Sequence, residues 1–176
     1  MIKPKPLQQG DSVAIIAPAS PVDKTLIDKC VGSLKDLGLE VVVGTSCLSE
    51  HGFLSGTDDI RANDINRMFA DKNIKGIFAI RGGYGCARLL DLIDFKIIKK
   101  NPKIFVGYSD ITALHIAINQ KSKLITYHGP MVSTELIKGL DEYSADYYKR
   151  FLFSKEKIDA VIHFAAYSLV GESVTD

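Results

Sequence analysis

The chain has 176 residues, 46% of them hydrophobic, enough for one domain with a well-buried core and too few for two large ones. Twenty-two Lys and Arg against twenty-one Asp and Glu leave a net charge of +1, so no overall field draws the protein to nucleic acid or anionic lipid, and a peptide or small molecule is the expected ligand class. The start Met1-Ile2-Lys3-Pro4-Lys5-Pro6 leads into polar residues, no apolar run reaches membrane-spanning length, and three cysteines without C-x-x-C spacing argue against a disulfide framework or zinc site; a soluble, cytoplasmic protein is expected, with no membrane partner and no metal.

Val13 to Ala17 is a short apolar run ended by Pro18-Ala19-Ser20-Pro21, the pattern of a buried strand opening into a loop. From Asp23 to Leu37 the residues Leu26, Ile27, Cys30, Val31, Leu34 and Leu37 recur at helical spacing, with Gly38 as the stop. Glu40–Val43 reads as the next strand. Thr57 is placed to cap a helix with Asp58 and Asp59 in its first turn, an apolar stripe of Ile60, Ile65, Met68 and Phe69, and an end near Asp71. Ile74–Ile80 is a third strand that runs into Arg81-Gly82-Gly83-Tyr84-Gly85, after which Ala87, Leu89, Leu90 and Leu92 suggest a further helix. Ile104–Val106 and Leu124–Tyr127 complete the strands, with a helix over Ile111–Ile118 between them.

Strands alternating with helices predict an α/β fold: right-handed crossovers and a mostly parallel sheet with helices on both faces, in flavodoxin- or Rossmann-like layering. Ligands of such sheets sit beyond the carboxyl ends of the strands. Four loops share that edge: Pro18–Pro21, Arg81–Gly85, Gly107–Asp110 and His128–Pro130.

The segment Ile104-Phe105-Val106-Gly107-Tyr108-Ser109-Asp110-Ile111-Thr112 has the strand, tight turn and helix order of a nucleophile elbow, with Ile111 in place of the second glycine. Ser109 would then project above the sheet edge, with the Asp110 amide at the helix start able to stabilise an oxyanion. The plainer alternative is that Ser109 only caps the helix. The three glycines of Arg81–Gly85 permit positive φ and close backbone approach, which suits an oxyanion hole, a phosphate cradle or simply a turn. That loop fits neither dinucleotide nor P-loop spacing, so no cofactor is expected. Of the four histidines, His128 is the one placed on the functional edge. It either orients substrate or shapes its loop.

Taken together, Gly-Asp-Ser-Val-Ala-Ile-Ile-Ala-Pro-Ala-Ser from Gly10, the Arg-Gly-Gly-Tyr-Gly loop, Val-Gly-Tyr-Ser-Asp-Ile-Thr from Val106 and His-Gly-Pro-Met from His128 resemble the L,D-carboxypeptidase family, to which the microcin-resistance peptidases belong. The resemblance covers about residues 1–153. It implies a serine peptidase with a Ser-Glu-His triad that removes terminal D-alanine from murein tetrapeptides in cell-wall recycling. It implies Ser109 as nucleophile, the backbone amides of Gly83 and Asp110 as oxyanion hole, and Arg81, Gly82, Tyr84 and His128 at the substrate. The implied partner is a murein tetrapeptide or peptide-nucleotide, and a homodimer is compatible with the family. The family's Glu and His belong to a C-terminal domain beyond residue 153, which is expected to be absent, leaving this chain catalytically incomplete.

The last part, Ile158 to Ala166 followed by Val170-Gly171-Glu172-Ser173, is similar to a strand-and-loop segment of UDP-glucose 4-epimerases, which suggests a chimera joined between Phe153 and Ile158. Residues 158–165 are expected to add a strand to the sheet. Two other readings stay open: a non-catalytic α/β module binding a peptide or anion at the glycine-rich loop, and a nucleotide-binding epimerase fragment supported by the tail alone.

Overall fold

The computed structural model describes residues 1–154. The expected strand over 158–165, and with it the chimera reading, lies outside the described residues. Five strands form one parallel sheet: β1 (Ser12–Ile16), β2 (Glu40–Val43), β3 (Ile74–Ala79), β4 (Ile104–Gly107) and β5 (Tyr127–His128), in the order β2-β1-β3-β4-β5. Among the described residues five α-helices accompany them: α1 (Ile27–Lys35), α2 (Asp58–Ala70), α3 (Phe95–Lys100), α4 (Thr112–Ser122) and α5 (Glu142–Phe153). The expected α/β class with a parallel sheet is the one found.

Side-chain alternation along the strands sorts the core into two layers. Ala14, Ile16, Ile77 and Phe105 point to one face, where they pack with Ile65 and Phe69 of α2, Ile98 of α3, and Leu114 and Ile118 of α4. Val13, Ile15, Phe78, Ile104 and Val106 point to the other, against Cys30 and Leu34 of α1 and Tyr148 and Leu152 of α5. Both faces of the central strands are therefore dry, which is why they read as unbroken apolar runs rather than alternating ones.

Local signals set most boundaries. Thr57 caps α2 by accepting from the Ile60 amide, and Gly38, at φ +80°, ends the α1 turn while its N–H donates to Lys35. The first helix is shorter than its periodicity suggests, because Lys24–Leu26 forms a single 3₁₀ turn before α1 begins.

Two expectations need correction. Ala87 to Leu92 do not make an α-helix: Cys86–Leu89 form one 3₁₀ turn, and the regular helix is α3, further on. Asn66 of α2 donates to the Leu92 carbonyl and accepts from the Asp94 amide, taking up backbone groups that a continuing helix would use itself, and Asp94 then caps α3 through the Lys96 and Ile97 amides. The last strand likewise shifts from Leu124–Tyr127 to Tyr127–His128. Leu124 and Ile125 pair with Ile2 at the amino terminus instead, and the Asn119 side chain donates to the Leu124 carbonyl. Helix α5 had no counterpart in the pattern reading. Asp141 caps it, its carboxylate accepting from the Ser144 amide.

Candidate active site

The order β2-β1-β3-β4-β5 reverses direction between β1 and β3, and ligand crevices of open α/β sheets form at such a switch point. Loops following β1, β3, β4 and β5 meet at the carboxyl edge, as expected. Ser20 N–H donates to the Gly82 carbonyl at 3.4 Å, and Gly129 N–H to the Gly107 carbonyl at 3.2 Å.

At the end of β4 the chain turns sharply. Tyr108 is extended at φ −153°, Ser109 takes φ +61°, and Ser109–Ile111 form the 3₁₀ turn that leads into α4. A serine in the left-handed region carries strain of order ~1–2 kcal/mol. The turn is tight enough that a Cβ on Gly107 would meet Ile111 Cγ2 at 2.8 Å and Ala79 Cβ at 3.1 Å. Ile111, in the position of the missing second glycine, is fully buried and belongs to the core beneath α4. The helix-capping alternative fails: neither the 3₁₀ turn nor α4 receives a side-chain cap, and Ser109 is exposed at the edge.

The glycine-rich loop lies directly beside it. A Cβ on Gly82 would stand 3.1 Å from Ser109 Cβ and 3.3 Å from its Oγ. Gly83, at φ +129°, leaves no room for one, since it would fall 2.1 Å from Ser20 Oγ. The Asp110 amide opens a helical turn, where an N–H has no intrahelical acceptor. Sequence and geometry thus put an exposed serine, a glycine backbone and a helix-start amide at one opening.

A model of the LD-carboxypeptidase N-terminal domain matches residues 13–129, well over half of the chain. The chain belongs to the LD-carboxypeptidase family. It is 49% identical over 140 residues to a Bacillus subtilis protein named "Probable murein peptide carboxypeptidase", a match covering 80% of this chain and 43% of that one. Among solved structures, an MccF-like protein from Bacillus anthracis superposes with a TM-score of 0.81 at 37% identity, covering 88% of this chain and 48% of that one. The microcin C7 self-immunity protein MccF gives 0.83 at 28% identity over 89% of this chain and 48% of that one, and has also been solved with aspartyl sulfamoyl adenosine. The chain therefore spans about half the length of the relatives it matches.

At this opening, Asp110 also makes a side-chain contact. Its carboxylate accepts from Cys86 N–H at 2.9 Å, tying the serine turn to the end of the glycine-rich loop. Sequence reasoning missed this contact, and nothing in the spacing of the two residues announces it. Burial pushes the Cys86 thiol far up and the Asp110 charge adds to it, so this cysteine is no competing nucleophile. The other two thiols, Cys30 and Cys47, are also buried and free.

The candidate substrate contacts fall in different places. Arg81 is half-buried and donates to the Pro21 carbonyl at 3.2 Å, linking the loops after β3 and β1. Tyr84 is 58% exposed and its ring lies 5.8 Å from that of Phe53, tilted by 55°, Phe53 itself being 64% exposed. Phe53 was not anticipated: it sits in the turn after β2, which docks by Ser55 N–H donating to the Ala19 carbonyl. His128 pairs beside Gly107, with its ring 5.9 Å from that of Tyr108. Tyr108 donates to Glu135, a carboxylate that also accepts from Met131 N–H and Thr134 Oγ1.

His115 lies under the same strand end but faces inward. Its Nε2 is 2.8 Å from the Gly107 carbonyl, its Nδ1 is buried without a partner, and burial holds the imidazole down to about 4. It is a neutral imidazole donating from Nε2. Among the described residues no group of His, Cys, Asp and Glu is arranged to hold a metal, and no helix is long and apolar enough to cross a membrane.

The backbone at Ser109 makes a sharp prediction. Ser109→Gly relieves the positive φ whereas Ser109→Ala keeps it, so the Gly variant should be the more stable of the two by about 1 kcal/mol in urea unfolding. At an interior position of a regular helix the order would reverse. Finding the Ser109→Ala variant equal or superior in stability would remove the strain argument.

Proposed function

We propose that residues 1–153 form the nucleophile-carrying domain of a serine carboxypeptidase that removes terminal D-alanine from murein tetrapeptides or a related peptide-nucleotide. The observation that carries this is Ser109 at φ +61° on a strand-to-helix turn, beside the Gly82-Gly83 backbone. Ser109 Oγ attacks the scissile carbonyl carbon, and the oxyanion that forms is held by the Gly83 and Asp110 amides, each donor worth about 3 kcal/mol to the transition state. Tyr84 and His128 border the entering peptide, while Arg81 and Gly82 shape the loop it meets.

The proton of Ser109 must go to a base. His115 is turned away and too weakly basic, which supports an acceptor supplied from outside residues 1–154. Names of the relatives support the substrate class: one is called a murein peptide carboxypeptidase, and MccF binds an aminoacyl sulfamoyl nucleoside. Three free, buried thiols favour a reducing compartment, in line with a cytoplasmic role in cell-wall recycling. A homodimer is compatible with this reading and would be seen by sedimentation.

A non-catalytic peptide-binding module is favoured by one observation, the lack of a usable base in His115. Treating residues 1–153 joined to the C-terminal half of the Bacillus subtilis relative, so that a base is supplied, with a fluorophosphonate and mapping the adduct separates the two readings. Covalent labelling at Ser109 that vanishes in Ser109→Ala is the expected result. No adduct at Ser109, with the fold intact by circular dichroism, would leave the binding module standing and the nucleophile assignment fallen.

A further inference from the structure

Arg61 of α2 is a fully buried charge that nothing in the site described so far employs. Its Nη1 donates to the Pro18 carbonyl at 2.6 Å and the Gly85 carbonyl at 3.1 Å. Those two carbonyls belong to the loops after β1 and β3, on either side of the switch point. Its Nη2 pairs with Asp58, which also takes Arg88 through both carboxylate oxygens at 2.8–3.0 Å.

A buried guanidinium is a costly way to fill a core position, and an apolar side chain of similar volume often serves stability as well or better. What an apolar residue lacks is the ability to donate to two carbonyls on separate loops from one rigid fork. Arg61 Nε is buried with no acceptor, so the side chain is not placed to satisfy its own hydrogen bonding. The loop is shaped to receive it: Gly85 has φ +118°, and a Cβ there would lie 2.8 Å from Arg61 Nη1 and 2.7 Å from Leu54 Cδ2. One residue later, Cys86 N–H is held by Asp110. The end of the glycine-rich loop is thus gripped from α2 at Gly85 and from the serine turn at Cys86.

We infer that Arg61 is a positioning residue for the reaction, fixing through Gly85 and Pro18 the loop that presents the Gly83 amide to Ser109. Its catalytic meaning rests on the serine peptidase reading, but the grip on the loop does not. Misplacing a catalytic group by about 1 Å costs on the order of 10²-fold in rate, so a loop loosened at Gly85 slows chemistry without weakening the encounter with ligand.

The test places Arg61→Lys and Arg61→Met in the 176-residue chain and in residues 1–153 joined to the C-terminal half of the Bacillus subtilis relative, and is read in two ways. In hydrogen exchange, the Cys86 and Arg88 amides, which bond to Asp110 and Gly85, should exchange about tenfold faster, while Ile80, bonded to Ile16 in the sheet, keeps its protection. In fluorophosphonate inactivation of the joined protein, which has the base, the limiting rate at Ser109 should fall about 10²-fold for Met and less for Lys, with the half-saturating concentration unchanged. Asp58→Ala, which releases Arg61 without removing it, decides the matter if neither Arg61 variant folds, and should give the same local pattern at smaller size. Unchanged exchange at Cys86 and Arg88, or a rise shared equally by Ile80, overturns the proposal. Absence of Ser109 labelling in the joined protein with Arg61 intact would fell the nucleophile reading instead, and exchange alone would then judge Arg61.

Discussion

The 176-residue chain should release D-alanine from a murein tetrapeptide at far below 1 per second, even though it carries the serine turn and the glycine-rich loop intact. An alcohol is a poor nucleophile until a base takes its proton, and loss of that base in serine peptidases leaves roughly 10³-fold acceleration over water from oxyanion stabilisation and binding. Of the described histidines near β4, His115 spends its Nε2 proton on the Gly107 carbonyl and is held to about 4, so it neither reaches Ser109 nor would hold a proton near neutrality. Joining residues 1–153 to the C-terminal half of the Bacillus subtilis relative should raise turnover by at least about 10³-fold, in a manner abolished by Ser109→Ala. Turnover of about 1 per second or more by the 176-residue chain, lost in Ser109→Ala, would mean that it contains its own proton acceptor, and His128 would be the first residue to replace.

Acid should destabilise the fold through His115. The unfolded chain takes up a proton near the ordinary histidine value of 6.5, whereas the folded chain does so only at about 4. Between these values the unfolded state binds more protons, so stability is complete above 6.5 and is lost as pH falls towards 4. At about 1.4 kcal/mol per pKa unit the loss approaches roughly 3 kcal/mol, large for a domain of this size. Carboxylates contribute their own acid dependence, and comparison with His115→Gln removes it: Gln can still donate to the Gly107 carbonyl but does not titrate. Unfolding free energies from urea titrations at pH 7 and pH 4.5 should fall by about 2 kcal/mol more in the unmodified protein than in His115→Gln. Parallel losses would show that His115 is not kept neutral by burial.

The grip of Asp110 on Cys86 and of Arg61 on Gly85 explains why the two most recognisable motifs are so close in space though separated by more than twenty residues. Each motif alone is ambiguous. Three glycines make a turn as readily as a binding loop, and a serine before an aspartate caps a helix as readily as it attacks a carbonyl. The positive φ of Ser109 settles its capping role in the negative, because a residue held in that conformation by the turn at Gly107 aims its side chain out of the sheet edge instead of along the helix.

Order and period along the chain were enough to specify the layered parallel sheet, its carboxyl edge and the four loops that meet there, since runs of Val, Ile and Phe between polar helical stretches have few other ways to be buried. Thr57 and Gly38 likewise set their helix ends by chemistry within a few residues. What the sequence left undecided depends on partners distant along the chain. Whether Ala87 to Leu92 would be helical was decided by Asn66, the extent of the last strand by Ile2, and the usefulness of His115 by a carbonyl eight residues back across a strand end. Arg61 reads as one more charge on an amphipathic helix until the fold brings Pro18 and Gly85 over it. Hydrogen bonds between segments carry no local period, so only the closed structure reveals which buried polar group each one satisfies.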